Sequence, residues 1–283
     1  MKTMLTFVAL LGLLMFPSAF VRAEVYASRI HLTNLSEPPA SITAIAGTPQ
    51  SAQVNTAFPI RFRVLVRDSL GNPVPGVTVT WTPPLSGPSG TFVGGIDTAV
   101  TDSSGIATSA TFIANLIAGS YVVPATAPGV ITPAIFFLRN LPGPPASIAP
   151  TAGTPQSTRV NTMFPIRFRA LVRDGSNNPV SGVTVTWRAP LIGPSGTFGG
   201  GGITITVTDS IGIVIAPPFR ANTIAGSYVV LAMAPGVIAP AMFFLTNLPG
   251  LPASVIATEG TPQIPRVNTM FPIRFRVLVR DSF

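Results

Sequence analysis

Arginine is the residue type most regularly placed for chemistry in this sequence. Because side chains alternate along an extended strand, arginines two or four positions apart lie on one face of it. A row of guanidinium groups there could bind polyanions such as lipopolysaccharide or acidic glycans. The simpler alternative is a solvated outer face whose charges discourage pairing with other sheet edges. No aromatic residues interleave with the arginines, which disfavours nucleic acid as a ligand. The recurring trios are Arg61, Arg63 and Arg67; Arg167, Arg169 and Arg173; and Arg274, Arg276 and Arg280.

Aspartates form a second, weaker candidate. Asp68 and Asp102 have counterparts in Asp174 and Asp209. Carboxylates are calcium ligands, but the ion needs about six to eight oxygens in total. Two aspartates in separate turns are more simply residues whose side chains bond the nearby backbone. The sequence therefore predicts no metal site and no cofactor.

The residues for most catalytic chemistries are missing. The chain has no Cys and a single His, His31, which excludes disulfides, thiol catalysis and a multi-histidine metal site. It has no nucleophile-elbow motif and no phosphate-binding loop, since the glycine run at 199–202 is not followed by Lys. We therefore expect a non-enzymatic protein.

Composition narrows the fold class. Of 283 residues, 31 are Pro and 26 are Gly, and each interior Pro costs a helix about 3 kcal/mol. A helical protein is therefore excluded. The hydrophobic fraction of 47% excludes a disordered chain, although only 9% of residues are charged, with 17 basic against 9 acidic. The length allows two domains that each bury a core.

The first 23 residues have the pattern of a secretory signal peptide. Lys2 precedes an apolar run from Met4 to Phe16, and Val21-Arg22-Ala23 supplies small residues at the cleavage positions. The run is shorter than the roughly 20 residues that a membrane span needs. A later uncharged stretch at 228–245 is interrupted by proline and glycine, which favours two strands joined by a turn. We expect an exported protein, secreted or at the cell surface, without a transmembrane span after cleavage.

An internal repeat sets the domain organisation. Gly47-Thr48-Pro49-Gln50 returns 106 residues later and again 107 residues after that. The segment Leu32–Leu35 resembles Leu245–Leu248, so the leader looks like the last strand of a preceding repeat. The third repeat restarts and stops after about 30 residues, which suggests a fragment of a longer array. The predicted segments are the signal peptide (1–23), the leader (24–37), repeat 1 (38–143), repeat 2 (144–250) and the truncated repeat 3 (251–283).

The sequence of each repeat predicts strands and turns throughout. In repeat 1, the apolar residues Ile60, Phe62, Val64 and Val66 alternate with arginines and Leu65, the period of a half-buried strand. About seven such short strands in about 105 residues are typical of an immunoglobulin-like β-sandwich. The sequence thus predicts an all-β protein with tandem sandwiches.

Four aromatic residues are expected to anchor the cores. Trp81 and Trp187 are the only tryptophans, one per complete repeat, at the end of the same strand. Tyr121 and Tyr228 follow Gly-Ser at the start of the sixth strand, where a tyrosine corner would lie. Without disulfides, this packing must hold the two sheets together.

The repeats resemble a known family at this point. The segment Asp68–Val79, with its Asp-x-x-Gly-Asn-Pro-Val core, is similar to the signature of bacterial Ig-like domains of group 1, the invasin/intimin type. Thr101–Gly105, Ala118–Tyr121 and the Phe136-x-Leu138-x-Asn140 ending also fit. In repeat 2, Asn177-Asn178 replaces Gly71-Asn72 and Pro217-Pro218 replaces Ala110-Thr111, which should weaken the pairing of that strand.

The resemblance implies tandem spacers in exported surface adhesins, with binding carried by another module and neighbouring repeats as the immediate partners. Three alternatives remain open. The chain could bind host or matrix glycans or other surface components through the arginines or through apolar outer strands, where Ile135, Phe137 and Phe244 stand at positions expected to be polar. It could also be an auxiliary array of a secreted hydrolase, or a degraded gene.

Overall fold

The computed structural model describes residues 37–283, so the predicted signal peptide, nearly all of the leader and His31 lie outside the described residues. Within this range the regular structure is β-strand, apart from a short 3-10 turn at Val93–Gly95. The all-β prediction is confirmed. No helix in this part of the chain is long and apolar enough to cross a membrane.

Repeat 1 is a sandwich of two sheets. One sheet has the order β1-β3-β7 and the other β2-β10-β9-β4-β6, while β5 and β8 form a separate ribbon. β2 runs parallel to β10, and the other pairs are antiparallel. The prediction of about seven strands missed the division of the first strand and the β5–β8 ribbon. The strands are β1 (Ser41–Ala46), β2 (Gln50–Gln53), β3 (Arg63–Arg67), β4 (Thr78–Trp81), β5 (Gly90–Phe92), β6 (Thr98–Val100), β7 (Ile106–Thr108), β8 (Phe112–Ala114), β9 (Gly119–Thr126) and β10 (Ala134–Leu141).

Repeat 2 has the same topology. Its sheets have the orders β11-β13-β17 and β12-β20-β19-β14-β16, with β15 and β18 as the ribbon. The ribbon strand β18 has two residues where β8 has three, and Pro217-Pro218 precedes it with only Phe219 between them. The strands are β11 (Pro145–Ala152), β12 (Gln156–Arg159), β13 (Arg169–Asp174), β14 (Thr184–Arg188), β15 (Gly196–Thr197), β16 (Ile203–Val207), β17 (Ile213–Ile215), β18 (Arg220–Ala221), β19 (Gly226–Met233) and β20 (Ala241–Leu248).

The core of each repeat lies between its two sheets. In repeat 1, Phe62, Val64 and Val66 are buried as the alternation predicted. Ile60 was wrongly placed with them, because its side chain is 52% exposed. The strand β3 begins only at Arg63, and the chain before it is held by a side chain rather than by a neighbouring strand.

That side chain belongs to Gln50, the last residue of the recurring Gly-Thr-Pro-Gln motif. Its Nε2 donates to the carbonyls of Gly47 (2.7 Å) and Ile60 (2.8 Å), and its Oε1 accepts from the Ile60 N–H (3.1 Å). Gln156 and Gln263 make the same three contacts in the other repeats. The motif therefore recurs because a glutamine amide replaces backbone pairing where the first strand changes sheets.

Repeat 3 contributes a two-stranded hairpin, β21 (Ser254–Glu259) paired with β22 (Arg276–Arg280). These strands correspond to β1 and β3 of repeat 1. All their residues are exposed, including Val277 (61%) and Val279 (51%), whose counterparts Val64 and Val66 are completely buried.

Candidate functional site

The arginines of repeat 1 lie where the alternation placed them. Arg63 and Arg67 lie in β3 and Arg61 lies just before it, and all three are exposed on the side opposite the core. Arg67 is partly engaged, since its Nη1 donates to the carbonyl of Gly71 at 3.0 Å. The other two guanidinium groups make no hydrogen bonds within residues 37–283, and this leaves them available to solvent or to an anion.

Two of the three equivalent arginines are engaged in repeat 2, and one of the three in repeat 3. Arg173 repeats the contact of Arg67 by donating to the carbonyl of Asn177 at 3.0 Å. Arg167 donates through Nε to the carbonyl of Ala216 at 2.8 Å. In repeat 3, Arg276 forms an ion pair with Glu259 (2.8 Å), and both side chains remain largely exposed.

The arginine faces carry uncompensated positive charge. The Arg276–Glu259 contact is the only ion pair within residues 37–283. The formal charge of the chain is +8 at pH 7. Clustered charge of one sign raises the local concentration of oppositely charged ligands, and salt screens this effect. The geometry suits diffuse attraction of anions rather than a defined pocket.

The aspartates organise their own turns. Asp68 Oδ1 accepts from the backbone N–H groups of Leu70 (3.0 Å) and Asn72 (2.7 Å). Asp102 accepts in the same way from Ser104 (2.8 Å) and Ile106 (3.1 Å). Burial works to raise the pKa of Asp68, but these donors favour the charged form and hold that pKa below its usual value. Within the described chain, no three acidic or histidine side chains gather into a metal-binding group.

Trp81 and Trp187 are completely buried between the sheets. Trp187 packs against Phe243 with ring centroids 5.4 Å apart, and its Nε1 donates to Thr206 Oγ1 at 2.7 Å. Trp81 Nε1 has no hydrogen-bond partner within the described residues. The difference arises because Ala99 occupies in β6 the register position that Thr206 occupies in β16.

The two tyrosines do not bond the backbone as in a tyrosine corner. Tyr121 donates its hydroxyl to Asn140 Oδ1 (3.0 Å), and Tyr228 donates to Asn247 Oδ1 (3.0 Å). Burial raises the pKa of both hydroxyls above the ordinary value of a tyrosine. These groups therefore act as neutral donors at physiological pH.

The acceptor asparagines connect the last strand of each sandwich to its end loops. Asn140 is 1% exposed, and its Nδ2 donates to the carbonyl of Ser89 (2.8 Å), to Asn115 Oδ1 (3.0 Å) and to the carbonyl of Ile117 (3.1 Å). Asn247 makes the same set of contacts in repeat 2. Sequence reasoning noted Asn140 only as part of a motif. The same polar residue recurs as Asn247 in the otherwise apolar pattern of the last strand, and this recurrence indicates a buried side chain that makes hydrogen bonds.

Each complete repeat also has a shallow groove on the outer face of its five-stranded sheet. The groove in repeat 1 has a volume of about 450 Å³ and lies beside Phe137, whose side chain is 59% exposed. The groove in repeat 2 has a volume of about 670 Å³ and lies beside Phe244. Phe137 and Phe244 therefore place an exposed aromatic side chain on the outer face of each sandwich.

Comparison with solved structures places this fold among known proteins. FdeC, an adhesin of Escherichia coli, aligns with a TM-score of 0.52 at 16% identity, over 88% of this chain and 76% of its own. InvD of Yersinia pseudotuberculosis aligns with a TM-score of 0.51 at 19% identity, over 78% of this chain and 61% of its own. The chain has the tandem Ig-like fold of bacterial adhesins of the invasin/intimin type. The resemblance read from the sequence is thus confirmed for the fold.

The other two comparisons add no relatives. No protein-family model matches the sequence, and no curated protein matches it. At these identities the structural likeness establishes the Ig-like fold alone.

Proposed function

We propose that this chain is a non-catalytic, exported spacer of an adhesin-type bacterial surface protein. Its Ig-like repeats would hold another module away from the cell. The observation that carries the proposal is the direct succession of two complete sandwiches, in which β10 ends at Leu141 and β11 begins at Pro145. The three residues between them include a proline on each side of Gly143, and proline-rich connections are semi-rigid.

The described side chains support a structural role over catalysis. The buried Asn140 is engaged in the network of repeat 1, and Asp68 and Asp102 are engaged in its turns. The fold shared with the adhesin FdeC agrees with a place at the cell surface. The predicted signal peptide would supply export.

A register-neutral deletion tests the spacer role. Removing residues 144–250 joins Gly143 to Leu251 just as Gly250 is joined to it in the full chain. If repeat 2 is a spacer, the shortened chain should still fold and reach the cell surface. It should lose one repeat of length by small-angle scattering and remain accessible to protease on intact cells. Loss of surface exposure in cells that display the full chain would contradict the proposal.

A second candidate function, binding of acidic glycans or other polyanions, is favoured by the unpaired arginines of repeat 1. Replacing Arg61 and Arg63 by Ser removes two charges from that face without touching a hydrogen bond of the fold. Retention on heparin should then weaken, with elution at a lower salt concentration. The matched control replaces Arg139 and Arg188, which lie on the opposite sheets. Equal shifts in both variants would mean that only net charge matters.

A further inference from the structure

The turn between β13 and β14 of repeat 2 makes polar contacts with repeat 1. Asn178 Nδ2 donates to the carbonyl of Leu116 (2.9 Å), and Asn178 Oδ1 accepts from the N–H of Ala118 (2.9 Å). In the same turn, Asp174 Oδ2 accepts from the N–H of Gly143 in the connection between the repeats (2.8 Å). One turn of repeat 2 thereby bonds both a loop of repeat 1 and the linker.

The two side chains of this turn fix each other. Asn178 Nδ2 also donates to Asp174 Oδ2 (2.9 Å), and Asp174 Oδ1 accepts from the backbone N–H groups of Asn178 (2.8 Å) and Ser176 (2.9 Å). Both residues are buried, since Asp174 is 4% exposed and Asn178 is 8% exposed. The asparagine amide must donate to one carbonyl and accept from one N–H, so neither Asp nor Ala can replace it.

The receiving loop of repeat 1 is held from behind by the buried asparagine network. Asn140 donates to the carbonyl of Ile117, and Asn115 Oδ1 accepts from the Ile117 N–H (3.1 Å). Both backbone groups of Ile117 are therefore occupied inside repeat 1. The groups on either side of it, the carbonyl of Leu116 and the N–H of Ala118, are the ones that bond Asn178.

We propose that the loop Leu116–Ala118 together with Gly143 is a docking surface for the following repeat, and that Asn178 fixes the angle between the two sandwiches. The partner that fits this surface is an Ig-like repeat whose β3-equivalent strand ends in Asp followed four residues later by Asn. This inference deepens the proposed spacer function and rests on it only for its biological purpose.

The rest of the chain repeats the parts of this joint. At the second junction, Asp281 Oδ2 accepts from the N–H of Gly250 (2.7 Å), as Asp174 does from Gly143. The loop of repeat 2 is held by the same network, because Asn247 donates to the carbonyl of Ile224 (3.1 Å). The aspartate-to-glycine contact and the loop held by a buried asparagine are therefore present at both junctions.

Repeat 1 supplies an internal comparison. It has the same Asp68–Asn72 turn, and Asn72 Nδ2 donates to Asp68 Oδ2 at 3.1 Å. Within residues 37–283, however, the Asn72 side chain contacts no other repeat, and the residue is exposed. The burial of Asn178 is thus a consequence of docking and not of the turn itself.

Distances between spin labels on the two repeats test the proposal. The chain has no Cys, so Thr108→Cys and Thr184→Cys create one exposed label site in each sandwich. In the full chain we expect a single narrow distance distribution by pulsed electron resonance. Asn178→Ala should broaden it at least twofold. Asn178→Asp should broaden it further, because a second carboxylate would face Asp174 and the carbonyl of Leu116.

Asn72→Ala is the matched control, since it removes the same side chain from the same turn without touching the junction, and it should leave the distribution unchanged. An unchanged distribution in Asn178→Ala, or equal broadening in Asn72→Ala, would overturn the docking surface. Trp187 fluorescence reports whether repeat 2 still folds. If Asn178→Ala unfolds repeat 2, Ala118→Pro is the alternative variant, because it removes the hydrogen bond to Asn178 Oδ1 from the repeat 1 side. It should broaden the distance distribution in the same way, and an unchanged distribution would overturn the docking surface. These distances are measured on the purified chain, so their failure is distinct from a failure of surface display.

Discussion

Single side chains distinguish the cores of the two complete repeats. The clearest case is the buried indole, which has a partner in repeat 2 and none described in repeat 1. A buried donor without a partner costs about 1–3 kcal/mol relative to a paired one. Comparing the two repeats therefore shows how much one buried hydrogen bond contributes to the free energy of unfolding.

We expect Ala99→Thr to stabilise repeat 1 by about 1 kcal/mol, because a hydroxyl at this position can accept from Trp81 Nε1. Thr206→Ala should destabilise repeat 2 by a similar or larger amount. Urea unfolding followed by tryptophan fluorescence measures both, with Trp187→Phe as the background for repeat 1 and Trp81→Phe for repeat 2. The isosteric Ala99→Val is the control for packing. A gain from Val equal to that from Thr would show that the hydroxyl is irrelevant.

The partly buried Tyr121 and Tyr228 predict a loss of stability in alkali. Their pKa values are raised in the folded protein, whereas in the unfolded chain a tyrosine ionises near pH 10. The unfolded state therefore loses protons first. The free energy of unfolding should be constant up to about pH 10 and fall as the pH rises beyond it.

Urea unfolding at intervals from pH 8 to 11 measures this dependence. The double variant Tyr121→Phe, Tyr228→Phe should be less stable at pH 8 by about 1 kcal/mol per site, because Asn140 and Asn247 each lose a donor. Its stability should change much less between pH 10 and 11 than that of the parent protein. Parallel curves would mean that other groups cause the alkaline loss.

At the scale of the element, the first strand of each repeat shows how one motif builds a sandwich. The strand β1 pairs with β3 in one sheet, and β2 then joins β10 in the other. Gly47, which lies between them, and Ile60, which lies before β3, have backbone groups that no ladder satisfies. The side chain of Gln50 bonds three such groups, which allows the chain to change sheets without unpaired amides.

Gln50→Ala should therefore destabilise repeat 1 by about 1–3 kcal/mol, since three backbone groups lose their partner. Gln50→Glu should be no better, because a carboxylate cannot donate to the carbonyls of Gly47 and Ile60. Chemical unfolding monitored by Trp81 fluorescence gives the numbers. Gln53→Ala is the matched control on the same strand, where the exposed side chain makes no hydrogen bond within the described residues, and it should change stability by less than about 0.5 kcal/mol. Similar losses for both residues would contradict the role given to Gln50.

At the scale of the whole molecule, the sequence predicted what depends on local pattern. The alternation around Phe62, Val64 and Val66 and the repeat of the Gly-Thr-Pro-Gln motif were enough for an all-β tandem fold, because strand period and turn residues act over a few positions. The exposure of Ile60 was missed, since it depends on a glutamine ten residues away. The contact of Asn178 with Leu116 could not be predicted from the sequence either, because it joins residues 62 positions apart in different repeats.

The sequence also supplied the candidate arginines but not their partners. Alternation is enough to place Arg61, Arg63 and Arg67 on one face of a strand. It cannot show that Arg67 is drawn to the carbonyl of its own turn while the other two stay unbonded. Side chains this long reach across several positions, so their contacts depend on the folded surface around them.

The hairpin of repeat 3 exposes its apolar side chains within the described residues. In a complete repeat, the residues equivalent to Phe275, Val277 and Val279 are covered by the five-stranded sheet, whereas here they are 51–68% exposed. Contiguous exposed apolar surface promotes association between molecules. Removing residues 254–283 should therefore lower the binding of a hydrophobic dye and reduce self-association in sedimentation experiments.

The same deletion should leave the thermal unfolding of repeats 1 and 2 unchanged, because each has its own closed core. The double variant Val277→Ser, Val279→Ser separates surface from chain length, since it keeps the hairpin and removes two apolar side chains. It should lower dye binding in the same direction as the deletion. If the deletion instead lowered the melting temperature of repeat 2 by several degrees, the hairpin would be stabilising its neighbour through the Gly250–Asp281 contact, and the repeats would be energetically coupled along the array.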